Sequence, residues 1–346
     1  MNLFITADQI GTPSGGGVVT KNEKEAFVSL GETIWIDNTI IRANQADPFA
    51  FDLALRSKIE ELQKQYKFHL AHFYAGTFSK TIELLKSLGT KISYTAAAHD
   101  LGLSISEHIS ILGHYPFKHM QDPEIFSRYI QGHKEADVVI CPSNMSAKVM
   151  RGYGCKNVKV IPHGTEIPNT ISPLPQKFVV GYLGAIGVDK GVLYLLKAWD
   201  SIGLHNSILN IAGRESLGLL QHIRGLEGGH FKIQGFVSSP SDFYNECSIY
   251  VQPSVTEGFG IEVLEAMAHG RPVIVSDGAG AADIVDNWRN GFIVNKKNPE
   301  EIAEKIKWFW KNKRIIQIMG RSAAEKAKQY SWEKIKALYC ETWKNV

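Results

Sequence analysis

Cysteine is scarce. There are four in 346 residues, at positions 141, 155, 247 and 340. None is spaced C-x-x-C or set near a histidine pair with zinc-finger spacing, so neither a disulfide framework nor a structural zinc site is expected, and a reducing compartment is the simplest setting. Long apolar runs are also missing. The longest, Phe178–Val188, covers eleven residues and holds three glycines, whereas a membrane-spanning helix needs about 18 or more. Met1–Gly11 has neither the basic nor the apolar region of a signal peptide. The expected location is the cytoplasm, with at most peripheral contact at the inner face of a membrane. An excess of one charge is lacking: 38 basic against 35 acidic side chains leave +3, too little to mark a nucleic-acid binder. There is no low-complexity tract and no repeat of 20–50 residues. No H-E-x-x-H or histidine ladder points to a metal, and no G-x-G-x-x-G follows the first strand, which argues against a dinucleotide dehydrogenase.

What is present is the balance of an ordinary globular protein, 44% hydrophobic and 21% charged with 31 glycines, long enough for about two domains. Short β-rich runs alternate with helical patterns. Strands are predicted at Leu3–Thr6, Thr33–Ile36, Phe68–Phe73, Ile92–Ala96, Val138–Pro142 and Lys159–Ile161, then again at Phe178–Leu183, Ile208–Ile211, Lys232–Phe236, Ile249–Gln252, Val273–Ser276 and Gly291–Val294. Helices are expected at 21–30, 52–66, 77–88, 123–135 and 145–152, and at 190–201, 216–225, 260–269, 299–311, 315–329 and 332–343. Such alternation implies parallel sheets covered on both faces. Two series of this length imply an α/β protein of two doubly wound, Rossmann-like domains facing a central cleft. Pro168, Pro173 and Pro175 make 166–176 a semi-stiff linker between domains at 1–165 and 177–330.

The most informative stretch runs from Val251 to Ser276. A strand ends at Pro253, Glu257 lies in the loop, Gly258 and Gly260 flank Phe259, and a helix then runs to His269 before Gly270 and Pro272 stop it. The amides and dipole at such a helix start form an anion site. Glu265 falls about five residues in, roughly 7 Å further along. One helix start therefore offers amides for phosphates, a carboxylate at its mouth and a second carboxylate lower down, a spacing suited to the sugar, diphosphate and ribose of a nucleotide-sugar.

This pattern resembles the E-x7-E motif of retaining glycosyltransferases of the GT-B fold, specifically glycosyltransferase family 4. Gly184–Ala–Ile–Gly–Val–Asp–Lys190–Gly191 is similar to the family's diphosphate-binding G-R-x-x-x-x-K-G, Leu209–Gly213 to L-x-I-x-G, Phe231–Val237 to the strand whose end holds the base, and Gly278–Asp283 to G-G-x-x-E. In the first half, Ser14–Gly17 resembles the glycine-rich loop after strand one, Thr95–Asp100 the T-x-H-x strand end, Ala136–Ser143 A-D-x-V-I-x-x-S, and Ile161–Gly164 I-P-N-G. The resemblance spans nearly the whole chain and is more specific in its second half.

The resemblance implies a first domain on the acceptor side, a second holding a UDP- or GDP-linked sugar, and a helix at 331–346 crossing back to the first. It implies that Glu257 holds sugar hydroxyls, that amides of Gly258, Phe259 and Gly260 meet sugar and phosphate, that Glu265 accepts both ribose hydroxyls, and that Lys190 neutralises the departing diphosphate beside Gly184. Main chain near Phe236 would read the base, Gly16 and Gly17 would close on the phosphate, and His99 would contact the sugar. Three positions depart from the family: Ala185 replaces its arginine, His163 its asparagine and Asp283 its glutamate. Arg214, at the end of a second-domain strand, is the candidate to supply the missing cation, with capping of Glu215 or Glu246 as the plainer reading. The implied reaction is sugar transfer to a glycan or other hydroxyl acceptor with retention and without a metal or other cofactor. The alternatives are a GT-B nucleotide-sugar epimerase and a non-catalytic nucleotide-sugar-binding subunit.

Two plainer readings belong beside these. Glu262, on the same helix, is expected to face solvent. Lys305–Arg314 is basic and tryptophan-bearing, which suits an anionic membrane surface, but inward packing of Trp308 and Phe309 is the simpler account.

Overall fold

β-Branched and aromatic runs buried on both faces make parallel strands, and the helical stretches between them cover those faces. A computed structural model describes residues 1–6, 15–36, 48–74, 78–116, 122–216, 219 and 231–346. The chain divides into two compact units. The first comprises Met1–Ala98, Phe117–His163 and Trp332–Val346, and the second His99–Pro116 and Gly164–Ser331.

The first unit holds β1 (Asn2–Thr6), β2 (Thr33–Ile36), β3 (Leu70–Tyr74), β4 (Lys91–Thr95), β5 (Val138–Cys141) and β6 (Val158–Val160), ordered β2-β1-β3-β4-β5-β6. The second holds β7 (Phe178–Leu183), β8 (Ser207–Ala212), β9 (Phe231–Ile233), β10 (Ile249–Gln252), β11 (Val273–Ser276) and β12 (Gly291–Val294), ordered β12-β11-β10-β7-β8-β9. Every pairing is parallel. The strand order reverses beside β1 in one sheet and between β7 and β10 in the other. Ligands of open α/β sheets sit beyond the carboxyl ends of the strands at such switch points. These are the two Rossmann-like halves of a GT-B fold.

The core of the second unit runs from Val180 and Tyr182 on β7 and Leu209 on β8 to Ile302, Ile306 and Phe309 on helix Pro299–Lys311, with Trp308 and Trp310 partly buried against it. The inward packing of Trp308 and Phe309 is thus observed. In the first unit Trp343, on helix Trp332–Lys344, meets Phe27 and His72 edge-on at 5.0 and 4.9 Å and donates from Nε1 to Ser93 Oγ at 2.9 Å. The cysteines are free thiols, and burial pushes those of Cys141 and Cys247 up to about 12. Among the described residues, no helix is long and apolar enough to cross a membrane.

Three local differences from the sequence reading stand out. Gly15–Gly17 form the first turn of helix Gly15–Val28 and are not a loop; Ser14 lies outside the described residues, as does most of the helix expected at 216–225. Helix Leu101–Leu112 has no counterpart in the sequence reading. Asp100 caps it by accepting from the Leu103 amide at 2.9 Å, and Gly113 ends it at φ 76°. Segment 99–116, read as part of the first domain, belongs to the second unit.

Candidate functional site

The carboxyl end of β7 leads into Gly184–Gly191, and that of β10 leads into Pro253–Gly260, so the two loops flank the switch point. They are joined by backbone: the Asp189 carbonyl accepts from the amides of Val255 at 2.7 Å and Thr256 at 3.3 Å. Gly191, at φ 67°, lies so close to Pro253 that an added Cβ would stand 2.0 Å from its carbonyl oxygen, and only glycine permits this approach. Gly213 closes the floor from β8, where a Cβ would stand 1.7 Å from the Gly184 carbonyl oxygen.

This seam brings Lys190 against Glu257, which pair directly through Nζ and Oε1. The other Glu257 oxygen accepts from Ser254 Oγ at 2.7 Å and Gln252 Nε2 at 2.8 Å. Burial pushes the Glu257 carboxyl upward, but the Lys190 ammonium and the three hydrogen bonds outweigh it and hold the group below its ordinary value. Burial opposes the charge on Lys190, yet Glu257, Glu262 and Asp189 raise its pKa on balance. Both groups are therefore ionised at neutral pH.

Gly260, at φ 94°, is the N-cap of helix Ile261–Ala268, and no side chain caps that end. Gly258 and Phe259 are buried just before it, and the Phe259 carbonyl accepts from the Ala281 amide at 2.7 Å. Glu265, lower on the helix, accepts from the Tyr244 hydroxyl at 2.7 Å. Burial raises its carboxyl to about 7, against the pull of that hydrogen bond. Arg271, fully buried, donates to the carbonyls of Tyr244, Asn245 and Ser172 at 2.9–3.1 Å and so fixes the segment that carries Tyr244.

Arg214 is exposed, with its guanidinium 4.9 Å from the centre of the Phe236 ring, which is itself 51% exposed. Its carbonyl accepts from the Ile186 amide at 2.9 Å, which ties it to the Lys190 loop. Half-buried His99 precedes Asp100, whose amide donates to Thr256 Oγ1 at 2.9 Å, next to Glu257. Gly16 and Gly17 lie in the other unit, in the helix turn that follows β1. His163 is buried there too, and burial lowers its pKa to about 4. Asp283 is exposed on the 3-10 turn Gly280–Ile284.

One expectation is corrected. Glu262 is half-buried and faces the site. Its Oε1 would lie 3.6 Å from a Cβ on Gly184, and its charge is felt by both Lys190 and Glu257. The sequence reading took it for a glutamate of the same helix that faces solvent. Tyr244, Gln252 and Arg271 were also missed. Ser254 was legible in the Pro–Ser pair before Glu257; the other three belong to no local pattern. Among the described residues, no group of three or more His, Cys, Asp and Glu side chains is arranged to hold a metal ion.

Two family models match in succession: Glycosyltransferase Family 4 over residues 16–167 and Glycosyl transferases group 1 over residues 165–330. The chain belongs to the family-4-type glycosyltransferases. A capsular polysaccharide biosynthesis glycosyltransferase, CapM of Staphylococcus aureus, is 31% identical over 177 residues, 48% of this chain and 47% of that protein. The N,N'-diacetylbacillosaminyl-diphospho-undecaprenol alpha-1,3-N-acetylgalactosaminyltransferase of Campylobacter jejuni is 29% identical over 136 residues, 39% and 36% of the two chains. The chain thus spans half or less of the length of these curated relatives. HepE of Anabaena, solved with UDP, superposes with a TM-score of 0.73 at 19% identity over 100% of both chains. Sucrose-phosphate synthase of Thermosynechococcus elongatus gives 0.78 at 17% identity, covering 100% of this chain and 99% of that one. At these identities the structural likeness speaks to the fold.

Proposed function

We propose that this protein moves a sugar from a UDP- or GDP-linked donor to an acceptor hydroxyl, keeping the anomeric configuration and using no metal. The observation that carries the reading is the Lys190–Glu257 pair at the β7/β10 switch point, beside an uncapped helix start with Glu265 further along the same helix. Glu257 has fixed acceptor oxygens for sugar hydroxyls. The first-turn amides and Lys190 meet the diphosphate. Glu265 takes the ribose diol, main chain near Phe236 reads the base, Arg214 beside that ring reaches toward the phosphates, and His99 contacts the sugar.

In the reaction the bond from the anomeric carbon to the diphosphate oxygen breaks, the acceptor oxygen bonds to that carbon on the same face, and the acceptor proton passes to the leaving phosphate. Lys190 and the helix amides stabilise the charge that develops on the leaving group, the largest lever available to such a site. CapM's name refers to capsular polysaccharide and the Campylobacter enzyme's to a lipid-linked sugar, which supports a glycan or lipid-linked glycan as acceptor. That acceptor would be met by peripheral contact at a membrane.

Thermal-shift titration with UDP- and GDP-sugars tests the donor, since binding to the native state raises apparent stability. Glu265→Gln is expected chiefly to weaken donor binding, and Glu257→Ala to lower turnover by about 10²–10³. If neither variant changes binding or turnover, the site assignment is wrong.

A further inference from the structure

Glu257 receives three side-chain hydrogen bonds and Glu265 one. Among the described residues, no side chain donates to Glu262. It nonetheless sits half-buried, in the first turn of helix Ile261–Ala268, near a second carboxylate and a single lysine. Placing another negative charge where an anion is to bind opposes that binding. A protonated carboxyl in the same place does the opposite, because it has an O–H to donate.

The neighbourhood makes the point sharper. Glu262 Oε1 would lie 3.6 Å from a Cβ on Gly184, immediately before Ala185. Ala185 stands at the arginine position of the motif G-R-x-x-x-x-K-G that Gly184–Gly191 resembles. The carboxyl therefore lies beside the residue that precedes that position. We propose that Glu262, alongside Lys190 and Arg214, donates a hydrogen bond from its protonated carboxyl to a donor phosphate oxygen, so that donor binding is coupled to the protonation of Glu262. This rests on the donor-site reading above.

The charged and titratable groups facing Glu262 come from each element packed around it. The Lys190 loop brings Lys190 and Asp189, the neighbouring loop Glu257, and the same helix Glu265. β7 brings Tyr182, β10 Tyr250, and helix Pro240–Asn245 Tyr244. The tyrosine hydroxyls are committed elsewhere, to the Ala185 carbonyl, the Leu183 carbonyl or Gln252, and Glu265. Burial and the Glu257 carboxylate both push the Glu262 proton toward retention, against Lys190 and a hydrogen bond from Glu262's own backbone amide. A diphosphate adds negative charge and pushes the same way. Glu265 pulls in the opposite direction, because a carboxylate that accepts ribose hydroxyls is favoured ionised. The acid limb of donor binding thus belongs to Glu265 and the alkaline limb to Glu262.

The test is calorimetric titration of the full chain with UDP and with GDP between pH 6 and 9, in two buffers of different ionisation enthalpy, for the parent and Glu262→Gln. Glutamine keeps a hydrogen-bond donor but cannot titrate. The parent should take up as much as one more proton per diphosphate than the variant. Above the Glu262 pKa it should lose about tenfold more affinity per pH unit than the variant does. Ala185→Arg, supplying a permanent donor, should flatten the alkaline fall in the parent background. Parallel pH profiles and equal proton counts for parent and Glu262→Gln would overturn the inference while leaving the donor site intact. Failure of the parent to bind either diphosphate would overturn the donor-site reading, and this inference with it.

Discussion

At the level of single residues, the site is held by unequal sharing of hydrogen-bond donors among three carboxylates on a short stretch of chain. Glu265 shows the consequence for stability. Its pKa in the fold is about 7 against an ordinary 4.5, raised by burial. A carboxyl that holds its proton more tightly when folded adds stability below about pH 4.5, and that contribution is lost as pH rises toward 7. Thermal melts should therefore show Glu265→Gln gaining on the parent from pH 4.5 to pH 8, with the difference closing at acidic pH. Trp288 makes a second case. It is 59% exposed and sits at φ 68°, where a side chain costs about 1–2 kcal/mol. Its ring is held edge-on by Phe292 at 4.8 Å and Trp308 at 5.6 Å. Removing the ring should reverse the usual ranking of small residues: Trp288→Gly should be more stable than Trp288→Ala by about 1 kcal/mol in urea unfolding. Neither effect was legible in the sequence. The Glu257/Glu265 spacing was, because both lie on one continuous segment, but Tyr244 and Glu262 acquire their roles from packing between segments.

At the level of elements, period and punctuation carried most of the information. All twelve strands lie where alternation of β-rich and helical runs places them, since strands buried on both faces are short, apolar and bounded by turns. Helix Leu101–Leu112 was overlooked although its Asp100 cap and Gly113 stop are ordinary signals. Its serines and β-branched isoleucines weaken helical propensity, and the residues before it drew notice as a strand end. That helix is fastened within the second unit. Glu107, 2% exposed, pairs with Lys297 and accepts from the Tyr194 hydroxyl, and Ser104 Oγ donates to Asp189, the neighbour of Lys190, at 3.0 Å. Lys297 is partly exposed and can rehydrate, so Glu107→Ala should cost roughly 2 kcal/mol, less than the 3–5 of a fully buried pair. Denaturant unfolding followed in the second unit would check this.

At the level of the whole molecule, the fold class followed from the doubled strand–helix series. The membership of segment 99–116 did not, because chain order alone cannot say which core a crossing segment joins. The proposed reaction has two global signatures. Activity should persist in EDTA, and loss restored by Mg²⁺ or Mn²⁺ would reject a metal-free transfer. NMR of the product should show the donor's anomeric configuration retained, and an inverted product would place the chemistry outside that proposal.

The return of Trp332–Lys344 to the first unit has a consequence for how the protein is made. Trp343 fills the space between Phe27, His72 and Ser93, so the N-terminal core lacks one of its walls until that helix leaves the ribosome. Roughly 170 residues separate His163 from this helix, about 10–30 s of synthesis at 5–20 residues per second. Throughout that interval Phe27 and His72 present an open apolar face to solvent. Nascent chains stalled before Trp332 should therefore recruit holding chaperones and be cut by protease within the first unit, and those extended through Lys344 should not.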